Sequence, residues 1–280
     1  MVVLVTGASG QLGQALQAIA PSYPELTFHF ASSGEADITD RSGLDEIFSR
    51  LKPDFCINAA AYTAVDKAES EPEKAFAINK LGARNLAEVC HSNNATLIHI
   101  STDFVFDGNK ETPYSESDST HPQSVYGQSK RDGEREIEKI LPRHYIIRTS
   151  WLYSQFGHNF MKTMLRLAQE RSSLSVVNDQ MGTPTHAVDL AKALIAIILS
   201  RKEAYGIYHY SNEGIATWYD FAKKIFEVNN IDIQVHPIPT SAYPTPAKRP
   251  KYSVLNKSRI KKEFEISITH WEDALKNAGL

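Results

Sequence analysis

The chain has 280 residues, of which 42% are hydrophobic and 22% are charged, and its formal net charge is −3. This composition is typical of a globular protein large enough for one α/β domain and a smaller lobe. The small net charge excludes nucleic acid as the main partner, because binding to a phosphate backbone needs a concentrated basic surface.

Short apolar runs alternate with amphipathic segments in the first half of the chain. In chain order, the pattern predicts strand 2–5, helix 12–19, strand 27–31, helix 43–51, strand 55–58, helices 72–77 and 81–91, strand 96–101, helix 124–141 and strand 145–148. Continuously apolar strands that alternate with helices indicate a parallel sheet covered on both faces. We therefore predict that residues 1–150 form a Rossmann-type doubly wound α/β domain that binds a dinucleotide.

The alternation of predicted strands and helices changes after about residue 151. The pattern predicts helix 159–170, strand 174–177, helix 188–199, strand 208–210, helix 219–227 and helix 271–278. Residues 237–250 are rich in proline, which removes ladder donors, and are predicted to be a surface loop beside the active cleft. We expect residues 151–280 to form mainly a smaller substrate-binding α/β lobe, with some elements returning to the first domain.

The cysteine content and the hydropathy of the chain indicate the cellular compartment in which the protein is expected. The two cysteines, Cys56 and Cys90, are too few for a disulfide framework and suggest no metal site. The longest apolar run, residues 193–199, is far shorter than a membrane span. We expect a cytoplasmic protein without a membrane segment or secretion signal.

A glycine-rich turn follows the first predicted strand and opens the first predicted helix. Its glycines, Gly7, Gly10 and Gly13, are spaced Gly-x-x-Gly-x-x-Gly, with Gln11 and Leu12 at the start of the helix. Glycine permits positive φ and close approach of a pyrophosphate, and the N–H groups at a helix N-terminus attract anions. The turn predicts a dinucleotide site.

The end of the second predicted strand bears on the choice of cofactor. It reads Ala31-Ser32-Ser33, without the acid that would bond a ribose 2′-hydroxyl and select NAD. Ser32 and Ser33 are compatible with a 2′-phosphate, so we predict NADPH, with NADH as a second accepted cofactor. Asp37 and Ile38 follow and are predicted to flank the adenine.

Tyr126 and Lys130 stand one helical turn apart on one face of the helix 124–141. A lysine ammonium beside a phenol lowers the pKa of the phenol, which can then give a proton to a carbonyl oxygen as a hydride arrives at carbon. Thr102 follows a predicted strand, where its hydroxyl would face the ligand crevice at the carboxyl edge of a parallel sheet. The order of these motifs predicts a reductase site.

With these motifs, the chain resembles the extended short-chain dehydrogenases/reductases, and within them the dTDP-4-dehydrorhamnose reductase family. The matching blocks run through nearly the whole chain: 5–13, 53–69, Asn79, 101–108, 126–130, 148–151, 179–185 and 249–250. The glycine turn and the Tyr/Lys pair are shared by the wider group. A much smaller set of proteins shares the blocks AVDKAE, FDG and DQMGTPT.

The resemblance implies NAD(P)H-dependent reduction of the 4-keto group of dTDP-4-dehydro-L-rhamnose. Tyr126 would donate the proton, and Lys130 would hold the nicotinamide ribose and tune the tyrosine. Asn79 would brace the backbone near the site. The resemblance also implies contacts to the cofactor from Ala61, Tyr62 and Thr63. It implies contacts to the sugar from Thr102, Asp103 and Trp151. The diphosphate would be bound by Arg249.

Two departures from the family pattern affect what the resemblance implies. Phe104 stands where the family often has tyrosine, so a phenol contact is missing there. Some members are dimers bridged by magnesium through glutamates, but residues 14–16 and 187–189 offer none. We therefore predict no metal and a monomer or weak homodimer.

Three alternatives stay open at this point. A nucleotide-sugar 4-epimerase and a 4,6-dehydratase use the same scaffold, although Phe104 replaces the glutamate that usually follows Asp in the dehydratases. The third alternative is a binding protein, because the regulatory subunit of methionine adenosyltransferase is similar to these reductases. The complete set of Thr102, Tyr126 and Lys130 favours an enzyme.

Overall fold

The structure is a computed structural model, and residues 1–278 are described. The last two positions of the predicted lobe, 279 and 280, lie outside the described residues. The strands are β1 (Val2–Thr6), β2 (Thr27–Ala31), β3 (Phe55–Asn58), β4 (Thr96–Thr102), β5 (His144–Thr149), β6 (Leu152–Tyr153), β7 (Ser173–Val177), β8 (Met181–Gly182), β9 (Thr185–His186), β10 (Gly206–His209), β11 (Ala216–Thr217) and β12 (Gln234–Ile238).

The helices alternate with these strands through most of the chain. They are α1 (Gln11–Ile19), α2 (Arg41–Leu51), α3 (Val65–Ala68), α4 (Pro72–Phe76), α5 (Ala83–Ser92), α6 (Val125–Ile140), α7 (Phe160–Glu170), α8 (Ala187–Ser200), α9 (Trp218–Val228), α10 (Ser258–Phe264) and α11 (Trp271–Lys276). A π-helical segment, Ala77–Gly82, joins α4 to α5 without a break. No described helix is long and apolar enough to cross a bilayer.

Six parallel strands form the central sheet in the order β10-β5-β4-β3-β1-β2. The chain passes from β1 outward to β2 and then crosses over to β3 on the other side of β1. A crevice opens at such a reversal, outside the carboxyl ends of the strands, and ligands bind there. The predicted Rossmann-type parallel sheet is confirmed.

Alternate residues of β1 point into two different cores. Val3 and Val5 pack in one cluster with residues of α1 and α8, whereas Leu4 packs in another with residues of α2 and α5. Because side chains alternate between the two faces of a strand, a sheet covered on both sides needs apolar residues at every position. This explains why β1 reads as a continuous apolar run.

The second half of the chain contributes both to the sheet and to a separate core. β10 lies beside β5, and α8 packs on α1. A third apolar cluster combines residues of α7, β7, α9 and α11. α9 begins with a reciprocal cap, in which Thr217 and Asp220 each accept from the other's backbone N–H.

The proline-rich segment differs from its prediction. Its first residues belong to β12, which pairs with β7 and places Pro237 opposite Val176. Among the described residues β12 pairs with β7 alone, and proline is tolerated at such an edge because its missing N–H has no partner to lose. The loop prediction is therefore wrong for residues 237 and 238, and it holds for the turns that follow.

Candidate active site

The glycine-rich turn lies where β1 and β3 end side by side. Gly7 has φ +71°, and a Cβ on it would lie 2.5 Å from the backbone nitrogen of Ala60. α1 then begins directly after Gly10. A turn of small residues at the N-terminus of a helix fits a dinucleotide pyrophosphate, which needs close backbone approach and unpaired N–H groups.

The residues that open α1 face different surroundings. The Leu12 side chain is buried in the core, so only its backbone faces the turn. Oε1 of Gln11 accepts from the Ser154 hydroxyl at 3.1 Å and from Nδ2 of Asn159 at 2.9 Å. Gln11 therefore ties the glycine turn to the segment that precedes α7.

Residues 61–63 follow β3 and are fixed from behind by Asn79. The Asn79 side chain accepts from the Tyr62 N–H at 2.9 Å and donates to the Tyr62 carbonyl and to the Ser129 hydroxyl. Tyr62 is buried and its hydroxyl donates to Glu71, whereas Thr63 is exposed. The structure thus places Asn79 as a brace between this segment and α6.

Thr102, Asp103 and Tyr126 meet at the carboxyl end of β4. The Thr102 hydroxyl donates to Oδ1 of Asp103 at 3.0 Å and lies near the Tyr126 phenol, whose pKa it acts to lower. The Phe104 ring packs edge-on against Tyr126 with 5.5 Å between ring centroids. In place of a second phenol, Phe104 therefore provides an apolar wall for Tyr126.

The pKa of Tyr126 differs from its prediction. Burial raises the pKa of Tyr126 to about 12, and the charge of Asp103 acts in the same direction, while the contact with Thr102 opposes them. Lys130 does not reverse this, because its Nζ donates to the Ile100 carbonyl at 2.6 Å. The expected lowering of the phenol pKa is therefore wrong, because burial raises it instead.

A line of buried polar groups leads to Lys130 from β1. Oδ1 of Asn58 accepts from the Thr6 hydroxyl and from the Ala60 N–H, so its Nδ2 faces Nδ1 of His99 at 2.9 Å. Nε2 of His99 lies 3.4 Å from Nζ of Lys130. Burial lowers the pKa of His99 well below its usual value and that of Lys130 to about 8.

Asp103 is an unusual carboxyl because it is almost completely buried. Its Oδ2 and the neighbouring Ser101 hydroxyl have no hydrogen-bond partner among the described residues. Burial raises the pKa of Asp103 to about 6. Its Oδ1 accepts from the Thr102 hydroxyl, and this hydrogen bond orients the Thr102 side chain.

Trp151 adopts a left-handed backbone conformation, with φ +47°. Its indole stacks on Trp218, with 3.6 Å between centroids and 9° between planes. Gly182 also lies directly against the indole, because a Cβ on it would be 2.6 Å from Cε2 of Trp151. Trp218 and Gly182 thus cover part of the ring, and Trp151 remains only partly exposed.

The predicted diphosphate ligand Arg249 has a protein partner. Its guanidinium forms a bidentate pair with Asp66, with Nη1–Oδ1 and Nη2–Oδ2 distances of 2.9 and 2.7 Å. The pair lowers the pKa of Asp66. Arg249 must leave Asp66 before it can bind a diphosphate with the same fork.

At the end of β2 the structure corrects the prediction that no acid is present. Glu35 turns back, and one of its carboxylate oxygens accepts from both the N–H and the hydroxyl of Ser32, each at 2.8 Å. Asp37 is exposed and accepts from Thr39, while the Ile38 side chain is buried in the core. Any adenine contact from Ile38 would therefore come from its backbone.

Metal ligands do not cluster in the part of the chain that the structure describes. Residues 1–278 contain no group of three or more histidine, cysteine or acidic side chains that could hold an ion. The absence of a metal remains a prediction.

Comparison with known proteins identifies relatives along the full chain. Residues 1–279 match the family described as the RmlD substrate binding domain. A protein from Aggregatibacter actinomycetemcomitans named dTDP-4-dehydrorhamnose reductase is 43% identical over 98% of this chain and 97% of its own length.

Two solved structures agree closely with this fold. A dTDP-4-dehydrorhamnose reductase from Clostridium acetobutylicum is 41% identical, with a TM-score of 0.95 over 99% of this chain and 98% of that one. Another from Bacillus anthracis, in complex with NADP, is 39% identical with a TM-score of 0.94 and the same coverage. These names support the reductase reading rather than the epimerase, dehydratase or regulatory alternatives.

Proposed function

The chain belongs to the RmlD substrate-binding domain family, and from this premise we propose that it reduces the 4-keto group of dTDP-4-dehydro-L-rhamnose to give dTDP-L-rhamnose. It is an oxidoreductase of the dTDP-4-dehydrorhamnose reductase type, with NADPH as cofactor. The observation that carries the proposal is the placement of Thr102 and Tyr126 at the carboxyl edge of the sheet, the edge at which the glycine turn also lies.

Tyr126 is the proposed proton donor. With a pKa of about 12, its phenol stays protonated at neutral pH, which is the form that a carbonyl oxygen needs as hydride reaches the carbon. Thr102 lies near the phenol, and by turning its hydroxyl away from Asp103 it would offer a second donor to the same oxygen. Asp103 acts through Thr102 as a positioning residue.

The cofactor site is assigned to the turn after β1 and the segment after β3. Gly7 and Gly13 let the turn pack closely against the backbones of Ala60 and Ala8, and Gly10 precedes α1, whose N-terminus would face the pyrophosphate. A bound NADPH would supply the hydride. The proposed site also includes Gln11, Leu12, Ser32, Asp37, Ile38, Ala61, Tyr62, Thr63, Tyr126 and Lys130. The buried Lys130 would hold the ribose hydroxyls beside the nicotinamide, because its ammonium lies one helical turn from Tyr126.

The substrate is assigned to the opposite side of the crevice. The part of the Trp151 ring that Trp218 and Gly182 leave uncovered would pack against the sugar. Thr102 and Asp103 would contact the sugar near the carbonyl, and Arg249 would bind the diphosphate. Residues 1–150 would form the dinucleotide domain and residues 151–280 mainly the substrate lobe, with β10 and α8 returning to the first domain.

The cellular compartment and the oligomeric state are also part of the proposal. Cys56 and Cys90 are both buried and free, which suits a reducing compartment such as the cytoplasm. We expect a monomer or a weak homodimer.

A product-identified assay tests the function. The purified protein is incubated with dTDP-4-dehydro-L-rhamnose and NADPH, and in parallel with NADH, and the sugar product is identified by NMR. We expect one dinucleotide to be oxidised for each dTDP-L-rhamnose formed. An epimerase would change the sugar without net loss of NADPH, and that result would overturn the proposal.

A further inference from the structure

Glu35 occupies a defined place beside the glycine turn. The chain turns back after β2, with the Glu35 N–H donating to the Ser32 carbonyl at 3.1 Å, and this brings the Glu35 carboxylate onto the N–H and hydroxyl of Ser32. These hydrogen bonds lower the pKa of Glu35, so its carboxylate is charged at neutral pH. Ser32 thus already holds an anion.

The cavity next to this contact has no positive side chain. It measures about 410 Å³ and lies between the glycine turn, α1 and the end of β2. Its lining residues are Ala8, Ser9, Gln14, Gln17, Phe30, Ser32 and Glu35. Glu35 is the one charged residue among them, so the cavity carries a negative charge.

We propose that Glu35 sets the balance between NADH and NADPH in this chain, by holding the two Ser32 donors that a 2′-phosphate would otherwise receive. This inference rests on the proposed function, because it assumes that the dinucleotide lies over the glycine turn. A ribose at the end of β2 then presents its 2′ position to Glu35 and Ser32.

The two cofactors meet this site differently. The 2′-hydroxyl of NADH can donate to the Glu35 carboxylate while Glu35 stays on Ser32. The 2′-phosphate of NADPH is an anion with acceptor oxygens only, so it is repelled by Glu35 and cannot reach the Ser32 donors until Glu35 leaves them. Glu35 is exposed and free to swing away, so NADPH still binds, but more weakly than without the carboxylate.

Direct binding measurements separate these effects. The dissociation constants of NADH and NADPH are measured by calorimetry, without substrate, for the wild type, Glu35→Gln and the control Glu46→Gln, an exposed acid on α2. We expect Glu35→Gln to strengthen NADPH binding by about tenfold, the scale of removing one close like charge, and not to strengthen NADH binding. Glu46→Gln should change neither. Adding Ser32→Ala to Glu35→Gln should reduce the gain for NADPH without abolishing it, because only the hydroxyl donor is lost while the Ser32 N–H stays and the carboxylate charge is still absent.

The possible results separate a failure of the proposed role of Glu35 from a failure of the proposed function. If the wild type binds both dinucleotides and Glu35→Gln leaves the ratio of their dissociation constants unchanged, the role of Glu35 is overturned and the proposed function stands. An equal shift in Glu46→Gln would also overturn it, because the effect would then be one of net charge. If the wild type binds neither dinucleotide, the proposed function fails and this inference fails with it.

Discussion

Tyr126→Phe removes the phenolic hydroxyl and keeps the ring that packs against Phe104. We expect turnover to fall by about 10²-fold or more, the usual scale for loss of a general acid, with NADPH binding unchanged. Steady-state rates and calorimetric dissociation constants measure the two effects. Tyr243→Phe, at a side chain that is 61% exposed, is the matched control and should be fully active. Near-normal turnover in Tyr126→Phe would remove Tyr126 from the mechanism.

Asp103 should leave a signature in the pH dependence of stability. Its pKa is raised to about 6 in the folded protein from the ordinary 3.8 of an aspartate, so between these pH values the folded state binds more protons than the unfolded state. Its contribution to the free energy of unfolding is therefore fully present below pH 4 and is lost as the pH rises through 6. The shift of about two pKa units corresponds to about 3 kcal/mol.

The measurement compares urea unfolding of the wild type and Asp103→Asn from pH 3.5 to 7.5. The stability of the wild type relative to the variant should fall by that amount as the pH rises. Asp118→Asn is the control of opposite sign, because the contact with Lys110 lowers the pKa of Asp118. A difference between wild type and Asp103→Asn that does not change with pH would show that Asp103 is not shifted.

Individual residues differ in how far the sequence predicts them. The glycine turn and the Tyr126/Lys130 pair follow from spacing along a single turn or helix. Glu35 was missed because the acid is sought at the strand end itself, and here a four-residue turn carries it back onto Ser32. The signal was present, since Gly34 directly before an acid indicates a turn. The pKa of Tyr126 was mispredicted because burial cannot be read from a helical repeat.

At the level of elements, α6 lies against the π-helical segment through a glycine. A Cβ on Gly133 would overlap the carbonyl oxygen of Asn79 and lie 3.3 Å from Cβ of Ala83. Backbone oxygen cannot move aside as a flexible side chain does. The close approach brings Ser129 of α6 to Asn79, so Gly133 fixes the distance between Tyr126 and the segment after β3.

Gly133→Ala should therefore destabilise the protein by about 1–3 kcal/mol, the range for overpacking a core, although alanine favours an isolated helix. We also expect turnover to fall, because α6 carries Tyr126 and Lys130. Urea unfolding and steady-state kinetics measure both. Arg135→Ala, at an exposed position of the same helix, is the control and should change neither. A stable and fully active Gly133→Ala would mean that the two elements separate freely.

Elements are predictable where the local pattern decides them. The apolar runs of β1, β3, β4 and β5 indicate strands, and their alternation with helices indicates parallel order. The position of β10 beside β5 depends on contacts between distant segments, which no local pattern contains. β12 was missed for the same reason, because only its pairing with β7 outweighs the presence of Pro237.

At the level of the whole molecule, the Asp66–Arg249 pair joins α3 to the segment before α10, 183 positions apart in sequence. Asp66 also accepts from the Ala247 N–H at 3.2 Å. The pair is partly exposed, and such pairs contribute about 0.2–1 kcal/mol to stability. Its importance is that it fixes the same guanidinium to which the diphosphate of the substrate is assigned.

Arg249→Ala and Asp66→Ala should therefore have different effects on the binding of dTDP. If Arg249 leaves Asp66 to bind the diphosphate, its loss weakens dTDP by about tenfold or more, the scale of a charged hydrogen bond. Asp66→Ala removes only the competing partner, so dTDP should bind as tightly as to the wild type or more tightly. Calorimetric titration measures both, with Arg166→Ala on α7 as the charge control. Equal weakening in both variants would show that the pair only supports the loop and that the diphosphate is bound elsewhere.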